Sequence, residues 1–299
     1  MRKQKERNSI VIIVAYVVLG IFSFMCIAPV VLMAVASFTD NDVLNLYGYT
    51  YFPQKWSLEA YEFLIKQGTV ISKSFLNSIL VTFMGTALGI MVTVLLAYTI
   101  SRKELVGRKL IMLFVFFTML FNGGMVPTYL MYTQIFHIKN TMWALLFPHL
   151  LVNGFNVLLV RTFFNENIPE VLLEAARIDG AGEISIFRNV VLPISKPILA
   201  TIGLLVGVGY WNDWYNGLLY LTNTKLFSLQ NYLNRILLDI QFMTQSMAGS
   251  AEAANALGKM PTITVRMAIA VIGILPLMII FPFFQSYFAR GMTVGAVKG

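Results

Sequence analysis

The sequence predicts an all-α integral membrane protein with six transmembrane helices and a helical cytoplasmic loop between spans four and five. Three observations predict it. Six long apolar runs recur along the 299 residues, and about 20 apolar residues of helix are what a bilayer core requires. Only 12% of the residues are charged and 58% are hydrophobic, with a mean hydropathy of +0.73. A soluble domain carries roughly 25% charged residues, so this surface cannot face water on all sides. Finally, Lys and Arg concentrate in alternate connections between the runs.

The first run covers 10–37 and follows the basic start Arg2-Lys3-Gln4-Lys5-Glu6-Arg7. It is longer than the roughly 7–15 apolar residues of a signal peptide and has no clean small-x-small site at its end. It is therefore read as the first span, after an amino terminus of residues 1–9. An extracytoplasmic loop, 38–75, comes next. Residues 76–288 hold the other five runs, at 76–100, 110–131, 142–164, 198–221 and 265–288, and 289–299 form a tail. In hydrocarbon each backbone group must be paired within the segment, which makes the runs helices. Alternating ten-residue strands are absent, which excludes an outer-membrane barrel.

Six spans put both termini on one side. That side carries Arg2, Lys3, Lys5, Arg7, Arg102, Lys103, Arg108, Lys109, Arg161, Arg177, Arg188, Lys196, Arg290 and Lys298. The other carries Lys55, Lys66, Lys73, Lys139, Lys225, Arg235, Lys259 and Arg266. The positive-inside rule then places both termini in the cytoplasm. The net charge of +8 is thus a topology signal, and no nucleic-acid partner is expected.

The outer connections 38–75 and 222–264 contain Tyr47, Tyr49, Tyr51, Trp56, Gln230, Asn231, Tyr232 and Asn234. Two readings stand: an interfacial aromatic belt, or a docking surface for an outside partner. Gly85 and Gly89, and likewise Gly203 and Gly207, are four apart. That spacing lets helix backbones approach closely. Asn122-Gly123-Gly124 with Pro127 interrupts the third run, and Asn153, Gly154 and Asn156 interrupt the fourth. Kinks or inter-helix contacts are the favoured reading, ahead of a cavity lined by broken helices. His149 is read as packed or interfacial, and Cys26 as a small buried hydrophobe.

Enzyme signatures are missing. There is no G-x-x-x-x-G-K-[ST] phosphate loop, no H-E-x-x-H and no G-x-S-x-G. Two histidines and one cysteine leave few ways to build a metal or nucleophilic centre. No catalytic residue and no metal site are expected. Energy for any transport must come from a partner.

The loop 165–197 carries the most specific signal. Asn167 is suited to cap a helix, Pro169 to its first turn, and Glu170 to its positive end. Gly180 and Gly182 end that helix. A second helix runs from Glu183 to Leu192-Pro193, and Pro197 precedes the fifth span. Leu172, Ala175, Ala176 and Ile178 make an apolar, small-residue patch, and Glu174 and Arg177 share a face. Such a helix suits either a groove on another protein or the membrane surface.

Glu174-Ala175-Ala176-Arg177-Ile178-Asp179-Gly180-Ala181, followed by Phe187, Leu192-Pro193 and Pro197, resembles the EAA loop of binding-protein-dependent ABC importer permeases. The resemblance covers the whole chain. Tyr210-Trp211-Asn212-Asp213-Trp214-Tyr215-Asn216 looks like the maltose-type, carbohydrate-uptake branch. The ending Phe281-Pro282-Phe283-Phe284-Gln285-Ser286-Tyr287-Phe288, then Gly291 to Lys298-Gly299, looks like its oligosaccharide-importing subgroup. The resemblance implies that the loop is a coupling helix docking into a cytoplasmic ATPase. Glu174, Ala175, Ala176, Arg177, Asp179 and Gly180 are then the coupling residues. The implied partners are a second homologous permease, two ATPase subunits and an extracytoplasmic solute-binding protein. ATP and Mg reside on the ATPases, and no cofactor is bound by this chain.

Asp213 lies in the fifth apolar run. A charge at the centre of a span costs about 2.5–3.5 kcal/mol on insertion scales, so its default reading is functional. Trp211, Asn212, Asp213, Trp214, Tyr215 and Asn216 suit a sugar, whose rings have apolar faces and a hydroxyl rim. An interfacial cluster or an inter-helix hydrogen bond is the other reading. The rival function is a stand-alone secondary carrier for a polar solute. The scarcity of carboxylates inside the spans disfavours it.

Overall fold

The computed structural model describes residues 2–66, 68–246 and 262–293. Among these every regular element is helical, apart from one bridge between Thr39 and Trp56. The stretch 247–261 of the connection 222–264, with Lys259, and the tail from 294, with Lys298, lie outside the described residues.

Three of the six apolar runs form single helices of spanning length. The first lies in α1 (Arg2–Ser37), the second in α4 (Gly68–Ser101) and the sixth in a final helix, Thr262–Thr293. Their spanning parts are Ile12–Ser37, Gly68–Ser101 and Ile263–Phe283. Between α1 and α4 come two short helices, α2 (Asn41–Tyr47) and α3 (Glu59–Lys66). The second spanning helix begins before its apolar run does, because Thr69 to Ser74 carry no residue that stops a helix.

The other three runs are broken. The third becomes α5 (Arg108–Leu120) and α6 (Met125–Leu130), the latter continued by a π-helical turn, Met131–Ile135. The two halves bend by 117°. Gly124 at φ +82° makes the bend, and the Asn122 side chain accepts its N–H at 2.9 Å. A left-handed residue is cheap only for glycine. The fourth run splits into α7 (Trp143–Leu146) and α8 (Gly154–Asn167), separated by irregular chain around Pro148. The Asn153 side chain caps α8 by accepting the Asn156 N–H. In the fifth run α12 (Lys196–Trp211) stops, and after Asn212–Trp214 the chain resumes as α13 (Tyr215–Tyr220). Asp213 therefore sits in a turn between helices, not inside a continuous span.

The connection before α12 holds α9 (Glu170–Ile178), α10 (Glu183–Ile186), a π-helical turn Phe187–Val191, and α11 (Leu192–Ile194). The helix pair Glu183–Ile194 and Lys196–Trp211 bends by 81°. After α13 comes α14 (Leu229–Ser246), and Thr262–Thr293 is α15.

The chain divides into two compact units. One comprises Met1–Gly68 with Ile236–Leu275. Here Phe38 stacks on Tyr61 at 4.7 Å, Ser37 and Tyr61 share a hydroxyl hydrogen bond at 2.8 Å, and Asp40 caps α2 and pairs with Lys55 at 2.6 Å. Tyr47, Tyr49, Phe52 and Trp56 are exposed. Cys26 is exposed as well, on the outward face of α1 rather than buried. Between residues 12 and 35 of α1 no side chain is buried within the chain, burial starting at Ala36 and Ser37, so lipid or another subunit must cover that stretch.

The other unit comprises Thr69–Arg235 with Pro276–Gly299. Its core includes Ala97, Ile100, Val160, Phe164, Ile202 and Tyr220. The two glycine pairs form one seam within the chain. A Cβ on Gly85 would meet the Tyr210 ring at 2.5 Å, and one on Gly89 would meet Val206 at 3.0 Å. From the other side, Gly203 faces Ile90 at 3.2 Å and Gly207 faces Thr86 at 3.3 Å. The numbers rise along α4 as they fall along α12, so the two helices cross antiparallel with small residues at each contact.

Candidate functional site

Two regions carry the residues expected to be functional. The first is the hairpin α9–α10. The chain enters α9 through Ile168, in extended conformation because it precedes Pro169. Pro169 is the N-cap, and Asn167 instead donates from its side chain to the Phe163 carbonyl at 3.1 Å, as the last residue of α8. The expected Asn167 cap is thus replaced by a sharp break at the proline.

The exit from α9 is a Schellman motif. The Ala181 N–H reaches the Ala176 carbonyl at 2.9 Å, and the Gly180 N–H reaches that of Arg177 at 3.0 Å. Gly180 has φ +82°, the left-handed conformation that the motif requires. A helix of nine residues is marginal alone. Leu173, 3% exposed, anchors it, with Ala176 and Ala181 against the core. Leu173 was not among the expected residues. Its spacing of three from Ala176 is the signal that marks the inward face.

Glu174, Ala175, Asp179 and Gly180 are exposed, with Ile178 at 86% and Ile184 at 84%. Arg177 does not pair with Glu174. It reaches forward to Glu183 at 3.0 Å and across to Glu104 at 3.4 Å. Glu183 raises the Arg177 pKa further, and Glu104 falls below the usual carboxylate range through its own backbone N–H and then Arg177. The Glu174 side chain has no hydrogen bond or ion pair among the described residues. Lys103 holds Glu170 at 3.1 Å, and the Tyr98 hydroxyl donates to Glu183 at 2.8 Å. The hairpin is thus tied at both ends to the end of α4 and the turn that follows it. Its tip, carrying apolar side chains and an unpaired carboxylate, is left open.

The second region is where the three broken helices meet. The breaks contribute Asn122, Gly124 and Met125, then His149 and Leu150, then Asp213, Tyr215 and Asn216, to one cavity of about 240 Å³. The expectation of simple kinks is replaced by convergence. Asp213 Oδ1 accepts the Asn216 N–H at 3.1 Å, and Asn216 Nδ2 donates to the Pro148 carbonyl at 3.0 Å. Asp213 Oδ2 and Asn216 Oδ1 are buried with no hydrogen-bond partner. A buried polar atom left unpaired costs of order 1–3 kcal/mol and marks a place where a polar ligand or water is favoured.

The structure separates the six residues of this cluster. Asp213, Tyr215 and Asn216 line the cavity. Trp211 is buried and turns instead to an apolar groove with Thr82, Gly207 and Phe281, its ring edge-on to Phe75 at 5.9 Å. Asn212 and Trp214 are exposed, Trp214 edge-on to Tyr215. Asn231, fully buried, donates to the Trp214 carbonyl at 3.1 Å, so it props the turn and is no part of an outer docking surface.

His149 is exposed and adopts φ +62°. It lines both this cavity and a neighbouring one of about 1040 Å³, whose walls include Tyr132, Phe136, Trp143, Phe147 and Asn153. Trp143 and Phe147 stack at 5.1 Å. These aromatic residues were not among the expected site residues. Only the fold of the broken third and fourth runs brings them together.

Comparison with known proteins identifies the family. Residues 85–294 match the family described as binding-protein-dependent transport system inner membrane component. The chain is 35% identical, over 98% of its length and 100% of the relative's, to the polygalacturonan/rhamnogalacturonan transport system permease protein YtcP of Bacillus subtilis (strain 168). It is 29% identical, over 100% of both chains, to the trehalose/maltose transport system permease protein MalG of Thermococcus litoralis. It superposes with a TM-score of 0.78 and 29% identity on a chain of a bacterial ABC transporter involved in the import of the acidic polysaccharide alginate, covering 94% of this chain and 98% of that one. The chain belongs to the binding-protein-dependent transport system inner membrane components: it is a non-catalytic permease subunit of an ABC importer, which acts with an ATPase, a binding protein and a second permease.

Proposed function

We propose that this chain forms half of the translocation pathway of an ATP-driven importer of sugars, chiefly oligosaccharides. The hairpin α9–α10 receives the motion of the ATPase through Glu174, Ala175, Ala176, Arg177, Asp179 and Gly180. The assembly contains one further permease, two ATPase subunits that carry ATP and Mg, and an extracytoplasmic binding protein. Both termini face the cytoplasm, as the distribution of Lys and Arg favours.

The observation that carries the coupling role is the construction of α9. It is anchored by Leu173, closed by Gly180 and tied by Arg177, yet it presents Glu174, Ala175 and Ile178 outward. An amphipathic helix held this way suits a groove on a partner. The carbohydrate reading rests on the substrates for which the relatives are named: polygalacturonan and rhamnogalacturonan, trehalose and maltose, and the acidic polysaccharide alginate. The aromatic walls around His149 are in keeping with it. A cavity of about 240 Å³ is below the roughly 300–1,000 Å³ of small-molecule pockets, so it suits a station along a path better than a closed binding site.

The test is reconstitution of the full complex in proteoliposomes with its binding protein. Glu174→Arg and Gly180→Asp should abolish uptake while leaving assembly intact. Full substrate-stimulated ATPase activity with normal uptake in either variant counts against the coupling role. Uptake by the chain alone, without ATPase, points to a secondary carrier instead.

A further inference from the structure

A third cavity, of about 530 Å³, lies at the root of the hairpin, between the end of α4, the start of α5, the end of α8 and the start of α9. Four basic side chains line it: Arg102, Lys103, Arg108 and Arg161. Its acidic residues are Glu104, Glu166 and Glu170. Two of these are engaged, Glu170 by Lys103 and Glu104 by Arg177. Arg102, Arg108 and Arg161 form no ion pair among the described residues. Three arginines thus face one unengaged carboxylate, Glu166.

Two of the arginines are held in place. Arg102 donates through Nε and Nη2 to Ser101 Oγ at 3.0 and 2.9 Å, and its guanidinium lies 4.8 Å from the centre of the Tyr98 ring. Arg161 donates through Nε to the Ile100 carbonyl at 3.4 Å. Both guanidinium groups keep further N–H donors free, and all three arginines are half-buried. A planar guanidinium held by one edge is preorganised for the oxygens of a phosphate.

The level of the cavity narrows the ligand. Arg102 follows directly on the spanning helix α4, and Arg108 opens α5, where Leu110, Leu113 and Phe114 are exposed. Arginine at such a boundary sits at headgroup depth. We infer that this cavity binds a phosphate-bearing anion, either the headgroup of an anionic phospholipid or a soluble phosphate ester. Held there, it touches Glu170 and Leu173, at the base of α9.

The assembled complex in detergent is tested by native mass spectrometry with phosphatidylglycerol and phosphatidylcholine, and by thermal shift with inorganic phosphate. Preferential retention of phosphatidylglycerol, lost about tenfold in Arg108→Gln/Arg161→Gln, establishes the site with lipid as its source. Stabilisation by inorganic phosphate that the same variant loses, without lipid preference, establishes it with a soluble source. Lys55→Gln, in the other unit and paired with Asp40, should leave both readouts unchanged. Arg108→Lys/Arg161→Lys keeps the charge and should fall between wild type and the glutamine variant. In wild type alone, equal retention of both lipids and no response to phosphate overturn the proposal, as does undiminished binding in a folded glutamine variant.

Discussion

The Tyr98 hydroxyl donates to Glu183 Oε2 at 2.8 Å, joining the end of α4 to a helix 85 residues further on. The other oxygen of that carboxylate takes the Arg177 guanidinium at 3.0 Å. One carboxylate thus fastens the α9–α10 hairpin to a spanning helix and closes it on itself. Tyr98→Phe removes a single hydroxyl and should lower stability by about 1 kcal/mol, read by thermal unfolding of the complex. The same variant should transport less sugar per ATP hydrolysed, because a looser hairpin moves without moving α4. An unchanged ratio would separate this contact from coupling.

Gly180 tests the closure of the hairpin. A Cβ there meets nothing within 4 Å, so the cost of replacement is backbone conformation alone. At φ +82°, Gly180→Asn should be nearly neutral, while Gly180→Val should cost about 1–2 kcal/mol or more. Chemical unfolding of the two purified variants checks the order. Equal stabilities would mean that the left-handed turn is not needed.

The glycine seam predicts a contrast between α4 and α12. Gly85→Ala drives a methyl into the ring of Tyr210, which is 2% exposed and held by its hydroxyl to the Leu146 carbonyl at 2.7 Å. The ring has nowhere to move, and a loss of about 1–3 kcal/mol is expected. Gly203→Ala meets only the flexible tip of Ile90 at 3.2 Å and should cost less than about 1 kcal/mol. Melting temperatures in one detergent should rank the two variants in that order.

Asp40 gives a pH dependence. Its pKa is lowered, first by the Lys55 ammonium, and that of Lys55 is raised, first by Asp40. The carboxylate's contribution is present above its unfolded value of about 3.9 and lost as pH falls through the lowered one. That of Lys55 is present below about 10.4 and lost as pH rises through the raised value. The stability difference between wild type and Asp40→Asn should therefore be flat across neutral pH and vanish in acid. Asp40→Ala, which also removes the cap of α2, should cost about 1 kcal/mol at neutral pH. A difference that persists in strong acid would show that the pair contributes nothing.

The sequence by itself determined the membrane, the helices and the family. Apolar runs longer than a core helix needs leave no other solution in hydrocarbon. The stretch from Glu174 to Ala181 carries its own geometry, because Gly180 closes a helix wherever it is placed. The pairing of Arg177 was beyond its reach. Glu174 is three residues away and Glu104 is 73, and spacing along one helix reports only the near partner. The broken runs are the clearest case. Asn122-Gly123-Gly124 and Asn153, Gly154 and Asn156 mark interruptions of the third and fourth runs, yet a kink and a re-entrant bend leave the same local signature, and in the fifth run the sequence marked no stop at all. Only the tertiary structure brought the three stops to one cavity and turned Trp211 away from Asp213. That decision belongs to packing across the chain, where the direction of each bend is set by what the next helix occupies.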